Sequence, residues 1–269
     1  MSLLDRLFKL REQTDDAKPF LQHLEELRGM LVKMVTTLGI CMAGSLYFQK
    51  TLVHLMEEPL ARIDPTLVSK LQNLGVIDPI TISFSLAFYA GIILSFPLLL
   101  LFVAQFVIPA LTRKEQHVVF PAIAVGFGLF LTGVLLCYFV ILPQTLKFCF
   151  DYSKSLNFAP SWTVREYFSF VTQMLVAFGA AFEMPVGIFA LVYLEFISFD
   201  LLHRTRPYAY VLVLTLAAVL APTPDPLSFA ALGVPMCLLY EGCIWIAWLL
   251  EKRRKRDVPK DEDTPALLP

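Results

Sequence analysis

Few side chains in this sequence could do chemistry, and the most exceptional is Glu183. It stands in Phe182-Glu-Met-Pro185, with no other Asp, Glu, Lys or Arg back to Glu166. An acidic residue at the middle of a bilayer costs roughly 2.5–3.5 kcal/mol on insertion scales, so such a residue needs a reason. Two reasons are open. Glu183 is a polar contact for a partner helix or substrate segment, or a protonated carboxyl bonded to the carbonyl that Pro185 leaves without an amide. Glu241, in Tyr240-Glu-Gly242, lies nearer the end of its apolar run and reads as an interfacial residue. Glu25, Glu26 and Arg28 share Phe20-Leu-Gln-His-Leu-Glu-Glu-Leu-Arg28. By spacing alone Glu25 and Arg28 are an i,i+3 surface pair worth a few tenths of a kcal/mol.

Other chemistry is missing from the sequence. There is no G-x-x-x-x-G-K-[ST], H-E-x-x-H or G-x-S-x-G. The histidines (His23, His54, His117, His203) are scattered without ligand spacing, and Cys41, Cys137, Cys149, Cys237 and Cys243 read as small apolar packing residues. No catalytic residue, metal or cofactor is therefore expected. Gly126, Gly128 and Gly133 fall inside one apolar run and read as helix-packing glycines.

These residues must be positioned by membrane helices. The chain is 57% hydrophobic and 17% charged over 269 residues, whereas soluble proteins have about a quarter of their residues charged. Apolar runs long enough to cross a ~30 Å core predict an all-α membrane protein, a six-transmembrane-helix bundle. Its spans are Leu31–Phe48, Ile80–Ala104, Val118–Leu142, Phe168–Leu194, Pro207–Ala221 and Leu227–Leu250. Amphipathic helices are expected in the outer loops 50–79 and 143–167. Residues 1–19 read as a mobile cytoplasmic N-terminus, 20–250 as the membrane domain, and 251–269 as a basic, then acidic, disordered tail. The net charge of −1, taken as a total, suggests no attraction to nucleic acid, yet it hides an asymmetry. Sixteen of the 22 Lys and Arg fall on the side of both termini and six on the other, which predicts an N-in/C-in topology.

At His23-Leu-Glu-Glu-Leu-Arg28 the chain resembles the TatC family, the multi-spanning receptor subunits of the twin-arginine protein translocase. Further matches follow in order: Phe106-Val-Ile-Pro-Ala-Leu-Thr-Arg-Lys-Glu115, Tyr138-Phe-Val-Ile-Leu-Pro143, Tyr167-Phe-Ser-Phe170, Ala177 through Pro185, Arg206-Pro-Tyr208, Thr223-Pro-Asp225, and Pro235 through Glu241. The resemblance implies binding of twin-arginine signal peptides of folded cargo at the inner membrane, with export driven by the proton motive force. It also implies assembly with TatA and TatB single-span subunits and self-association in the bilayer. By position, Glu26 and Glu115 would receive the two arginines, with His23, Arg28 and Phe106 in the same binding region. A carboxylate takes a guanidinium by two parallel hydrogen bonds that Lys cannot imitate. Glu183 and Asp225 carry over as functional positions in the bundle and the last outer loop.

The predicted fifth span is only 15 residues long, about 22 Å at 1.5 Å per residue. Such mismatch is relieved by thinning the bilayer or by associating with other helices. The last two spans, both taken as short, are therefore expected to form a partner-docking edge along Leu212 and Leu216, with Glu241. A rival reading from another class is a small-solute transporter or channel. It would place paired broken helices around a midplane site, and the parallel placing of Ser95 before Pro97 and Glu183 before Pro185 is the one hint of it.

Overall fold

A computed structural model of the chain describes residues 20–111, 116–158, 161–193, 199–220 and 226–257. The expected N-terminal segment 1–19, Glu115, Asp225 and the tail beyond 257 lie outside them. Among the described residues the structure is helical, with one isolated parallel bridge between Gln72 and Thr163.

The first helix, α1 (Phe20–Tyr47), packs along α4 (Asp78–Val107) and leaves most of its remaining surface exposed. Between them lie α2 (Gln49–Ala61) and α3 (Pro65–Ser69). Asp64 caps α3 by accepting the Thr66 amide at 2.9 Å, with Pro65 at the first helical position. After α4, a 3₁₀ turn (Ile108–Ala110) leads to α5 (Gln116–Leu136), a π-helical turn (Cys137–Ile141) and α6 (Leu142–Ser155). Pro143 explains that turn. It cannot donate to the Phe139 carbonyl, and the Leu142 amide reaches back five residues to Cys137 instead.

The core is built around α7 (Val164–Phe182), whose Phe178, Met174 and Val171 are fully buried. Thr163 starts it with a reciprocal cap: its hydroxyl oxygen accepts the Glu166 amide and its hydroxyl donates to the Glu166 carboxylate at 2.9 Å. Close approach of α5 and α7 needs Gly133 and Gly179. A Cβ at Gly133 would lie 2.7 Å from the Phe178 carbonyl oxygen, and one at Gly179 would lie 2.5 Å from the Phe130 ring. Phe130 in turn stacks on Phe96 of α4, centroids 3.6 Å apart, joining three helices in one apolar cluster.

Then come α8 (Met184–Tyr193), α9 (Phe199–Arg204), α10 (Arg206–Leu220) and α11 (Pro226–Asp257). Among the described residues, five segments are long and apolar enough to cross a membrane: Leu24–Tyr47, Asp78–Val107, Val119–Ser155, Val164–Tyr193 and Pro226–Leu249. The predicted fifth span is the shorter apolar helix α10. Two expectations need correction. The last span is not short, because its 24-residue apolar segment covers ~36 Å at 1.5 Å per residue. Nor does the helix stop at residue 250. It continues to Asp257, through Lys and Arg, which are good helix formers. Helices form in both loops where they were expected. α2 buries Met56, Pro59 and Leu60, and α6 buries Leu142, Thr145, Leu146 and Phe150.

Candidate functional site

Glu183 sits at a helix break rather than within a continuous span. α7 ends at Phe182 and α8 begins at Met184. Pro185 frees the Ala181 carbonyl, but the backbone amide of Glu183 itself donates to Ala180 and Ala181. The side chain is left over, and its Oε1 is buried without a hydrogen-bond partner among the described residues. The carboxyl-to-carbonyl reading of this residue is therefore not realised at Oε1. The carboxylate lies instead in a notch on α5. A Cβ built on Gly126 would be 3.1 Å from Glu183 Oε2, with Leu100 of α4 beside it. A larger residue at 126 would fill the space the carboxylate occupies.

The Ser95 and Glu183 positions are not structural equivalents. Ser95 is fully buried and donates to the Ile92 carbonyl of its own helix at 3.2 Å, and α4 runs unbroken through Pro97. The pair of broken helices that a transporter would use does not form at these two prolines. Gly91 does serve close approach, since a Cβ there would come 3.1 Å from the Met42 backbone of α1.

That contact also sets the register of the other candidate residues. Consecutive spans run antiparallel, so counting along both helices from Met42 and Gly91 brings Glu26 level with Val107. Glu26 is half-buried on α1, Arg28 is exposed, and His23 lies in the first turn. Phe106, half-buried near the end of α4, is thereby placed at the same end of the bundle as Glu26. Glu115 lies in the undescribed residues 112–115 that follow. The ends of that segment are tied together by Gln116. Its side-chain amide donates to the Ile108 carbonyl at 3.3 Å and to the Leu111 carbonyl at 3.2 Å. Spacing gave no reason to single out Gln116. Its role depends on the 3₁₀ turn bringing those two carbonyls within reach of one side chain.

At the end of the chain, Glu241 is not a bare interfacial residue. Its Oε2 pairs with Arg206 at 3.3 Å and its Oε1 accepts a hydrogen bond from the Tyr210 hydroxyl. The clasp joins the start of α10 to the middle of α11. Leu212 and Leu216 are exposed on α10. Two tyrosines known from the sequence only as members of matched motifs, with no role of their own, hold α2. Tyr167 donates to the Met56 carbonyl at 2.6 Å, and Tyr138 donates to the Leu55 carbonyl at 2.8 Å and lies 3.0 Å from Glu58 Oε2. Arg62 holds the other oxygen of Glu58 at 2.8 Å. The Arg62 guanidinium, together with the Tyr138 hydroxyl, holds the Glu58 carboxyl below the usual carboxylate range.

Comparison with known proteins adds a family to this geometry. The model of the Sec-independent protein translocase protein (TatC) family matches residues 22–235. A TatC protein of Akkermansia muciniphila is 45% identical over 172 residues, 64% of this chain but 49% of that protein. A TatC protein of Aquifex aeolicus is 31% identical over 243 residues, covering 90% of this chain and 99% of the relative. A crystal structure described as the twin-arginine translocase receptor TatC superposes with a TM-score of 0.77 at 30% identity, covering 85% of this chain and 99% of that one.

Proposed function

Since the chain belongs to the TatC family of Sec-independent protein translocase proteins, we propose that it is the receptor and core scaffold of a twin-arginine translocase. It binds the twin-arginine signal peptides of folded cargo and assembles with TatA and TatB single-span subunits and with further copies of itself. Export is driven by the proton motive force. The chain crosses the cytoplasmic membrane six times, α10 being the short fifth span, with both termini in the cytoplasm. The 16-to-6 division of Lys and Arg supports this orientation. The single observation that carries the reading is the likeness of the whole membrane domain to a solved receptor at 30% identity.

In this reading Glu26 and Glu115 each take one arginine of the signal peptide, with Phe106, His23 and Arg28 around them. Exposed ion pairs give only ~0.2–1 kcal/mol each, whereas micromolar binding needs ~8 kcal/mol. Packing of the peptide's apolar segment against the spans supplies the remainder. Glu183 serves as a polar contact in the bundle, Asp225 acts in the last outer loop, and partners dock along Leu212 and Leu216. Glu241 acts there by fixing α10 on α11.

A photoreactive signal peptide tests the proposal. The chain in native membranes should capture an Arg-Arg peptide and not its Lys-Lys counterpart. Glu26→Gln and Glu115→Gln should each lower the capture. Equal capture of the two peptides, or capture indifferent to both substitutions, overturns the arginine-receptor mechanism.

A further inference from the structure

A polar groove lies between the first turns of α4 and α7, at the end of α4 remote from Phe106, with room for about 120 Å³. Its floor is apolar, because Ile82, Leu86 and Phe168 are buried in the core cluster. Its walls carry Thr81 and Ser85 from α4 and Arg165, Ser169 and Thr172 from α7. Backbone holds the mouth in place. The Gln72 amide donates to the Trp162 carbonyl and the Val164 amide to the Gln72 carbonyl, both at 3.0 Å. The segment leading into α4 is thereby tied to the start of α7.

Two of the five polar side chains are already satisfied. Thr81 donates to the Ile77 carbonyl at 3.2 Å and Thr172 to the Phe168 carbonyl at 2.7 Å. The other three keep donors to spare among the described residues. Ser85 makes no hydrogen bond there, and Ser169 only accepts one, from the Gln173 side-chain amide at 3.0 Å. The nearest acid to Arg165 is Asp78, 3.8 Å from Nη1 and so beyond hydrogen-bond reach. Asp78 spends its other oxygen on the Gly75 amide at 2.8 Å, and Glu166 is engaged by its cap with Thr163. A guanidinium and two hydroxyls with free donors suit a phosphate. The guanidinium gives two parallel hydrogen bonds, and the serines serve a third oxygen. Asp78 offsets the charge of Arg165, so the groove reads the phosphate itself rather than net charge.

The surroundings decide which phosphate enters. Ile77, Ile80, Phe84 and Phe88 are exposed on α4, and at helical spacings of three and four residues they border Thr81 and Ser85. α4 is long and apolar enough to span the bilayer, so this stripe faces acyl chains. A free phosphate would have to leave water at that edge, whereas a phospholipid brings phosphate and acyl chains together. We propose that the groove between α4 and α7 binds the phosphodiester of a membrane phospholipid. Arg165, Ser85 and Ser169 hold the phosphate, and an acyl chain lies along Phe84 and Phe88. The site stands at the opposite end of α4 from Phe106 and does not depend on the receptor reading.

Native mass spectrometry of the full chain, stripped of lipid in detergent, tests this. The additions are phosphatidylglycerol, phosphatidylcholine and diacylglycerol with the same acyl chains, and inorganic phosphate. Either phospholipid should stay bound under collisional activation that removes diacylglycerol, and inorganic phosphate should not displace it. R165Q and R165Q/S85A should each retain at least threefold less phospholipid, with the lipid-free thermal midpoint unchanged. K147Q, which removes an exposed cation on α6, should retain as much as the parent. Equal retention of diacylglycerol, retention of phosphatidylglycerol alone, or displacement by inorganic phosphate overturns the proposal. So does undiminished retention in both Arg165 variants, or an equal loss in K147Q. Arg-Arg peptide capture, measured on the same samples, reports the receptor reading separately.

Discussion

Tyr138 donates its hydroxyl to the carbonyl of Leu55, 83 residues earlier in the chain. Leu55 is four residues before Pro59, so its carbonyl is the acceptor in α2 that the proline leaves without an amide. A gap made by one residue in α2 is thus repaired by a side chain of the π-helical turn. Tyr167 fixes the next carbonyl, that of Met56, and together they seat α2 on the core.

Removing the repair isolates its value. Tyr138→Phe leaves the Leu55 carbonyl without that partner, at a cost of about 1 kcal/mol for a half-buried acceptor. The thermal midpoint of the purified protein should fall. Tyr152→Phe, at an exposed position on α6, should leave it unmoved, and equal midpoints for the two variants would deny the repair.

The same corner should respond to acid. Arg62 and Tyr138 favour the charged form of Glu58, whose folded pKa lies below its ordinary value. A depressed carboxylate contributes stability above its unfolded pKa of about 4.3, and that contribution is lost as pH falls through the folded value. Between pH 7 and pH 3.5 the parent should therefore lose more thermal stability than Glu58→Gln. Parallel pH profiles for the two would show that the contact carries no linkage.

Glu183 is expected to oppose stability in the isolated chain. Its Oε1 is buried without a partner among the described residues, and unsatisfied buried groups cost about 1–3 kcal/mol. Glu183→Leu should raise the thermal midpoint of the purified protein while lowering export in cells. Unchanged export would leave the carboxylate without the contact role proposed for it.

Gln116 is expected to act through the segment it closes. Gln116→Glu removes both donors that tie the Ile108 and Leu111 carbonyls and sets a carboxylate against them. Signal-peptide affinity should weaken about fivefold, the ratio that corresponds to 1 kcal/mol, with the thermal midpoint unchanged. A drop in the midpoint without loss of affinity would make the residue structural only.

Which residues leave water was decided by the sequence. Long apolar runs must form helices in lipid because every amide and carbonyl needs a partner inside its own segment. Hence the apolar segments, the shortness of α10 and the oddity of Glu183 were legible from composition and spacing. Pro185 also announced a place where helical bonding fails, and Pro59 and Pro143 make the same kind of failure. What fills each failure was not legible. Pro59 is answered by Tyr138, Pro143 by a π-helical turn, and Pro185 by the backbone amide of Glu183, which leaves that carboxylate facing Gly126. The pairing of Glu241 with Arg206 and the contacts of Gln116 with the Ile108 and Leu111 carbonyls belong to the same class. Periodicity is a property of one helix and can be read along the chain. A hydrogen bond between residues 83 positions apart depends on how closely two helices approach, and only the packed bundle sets that distance.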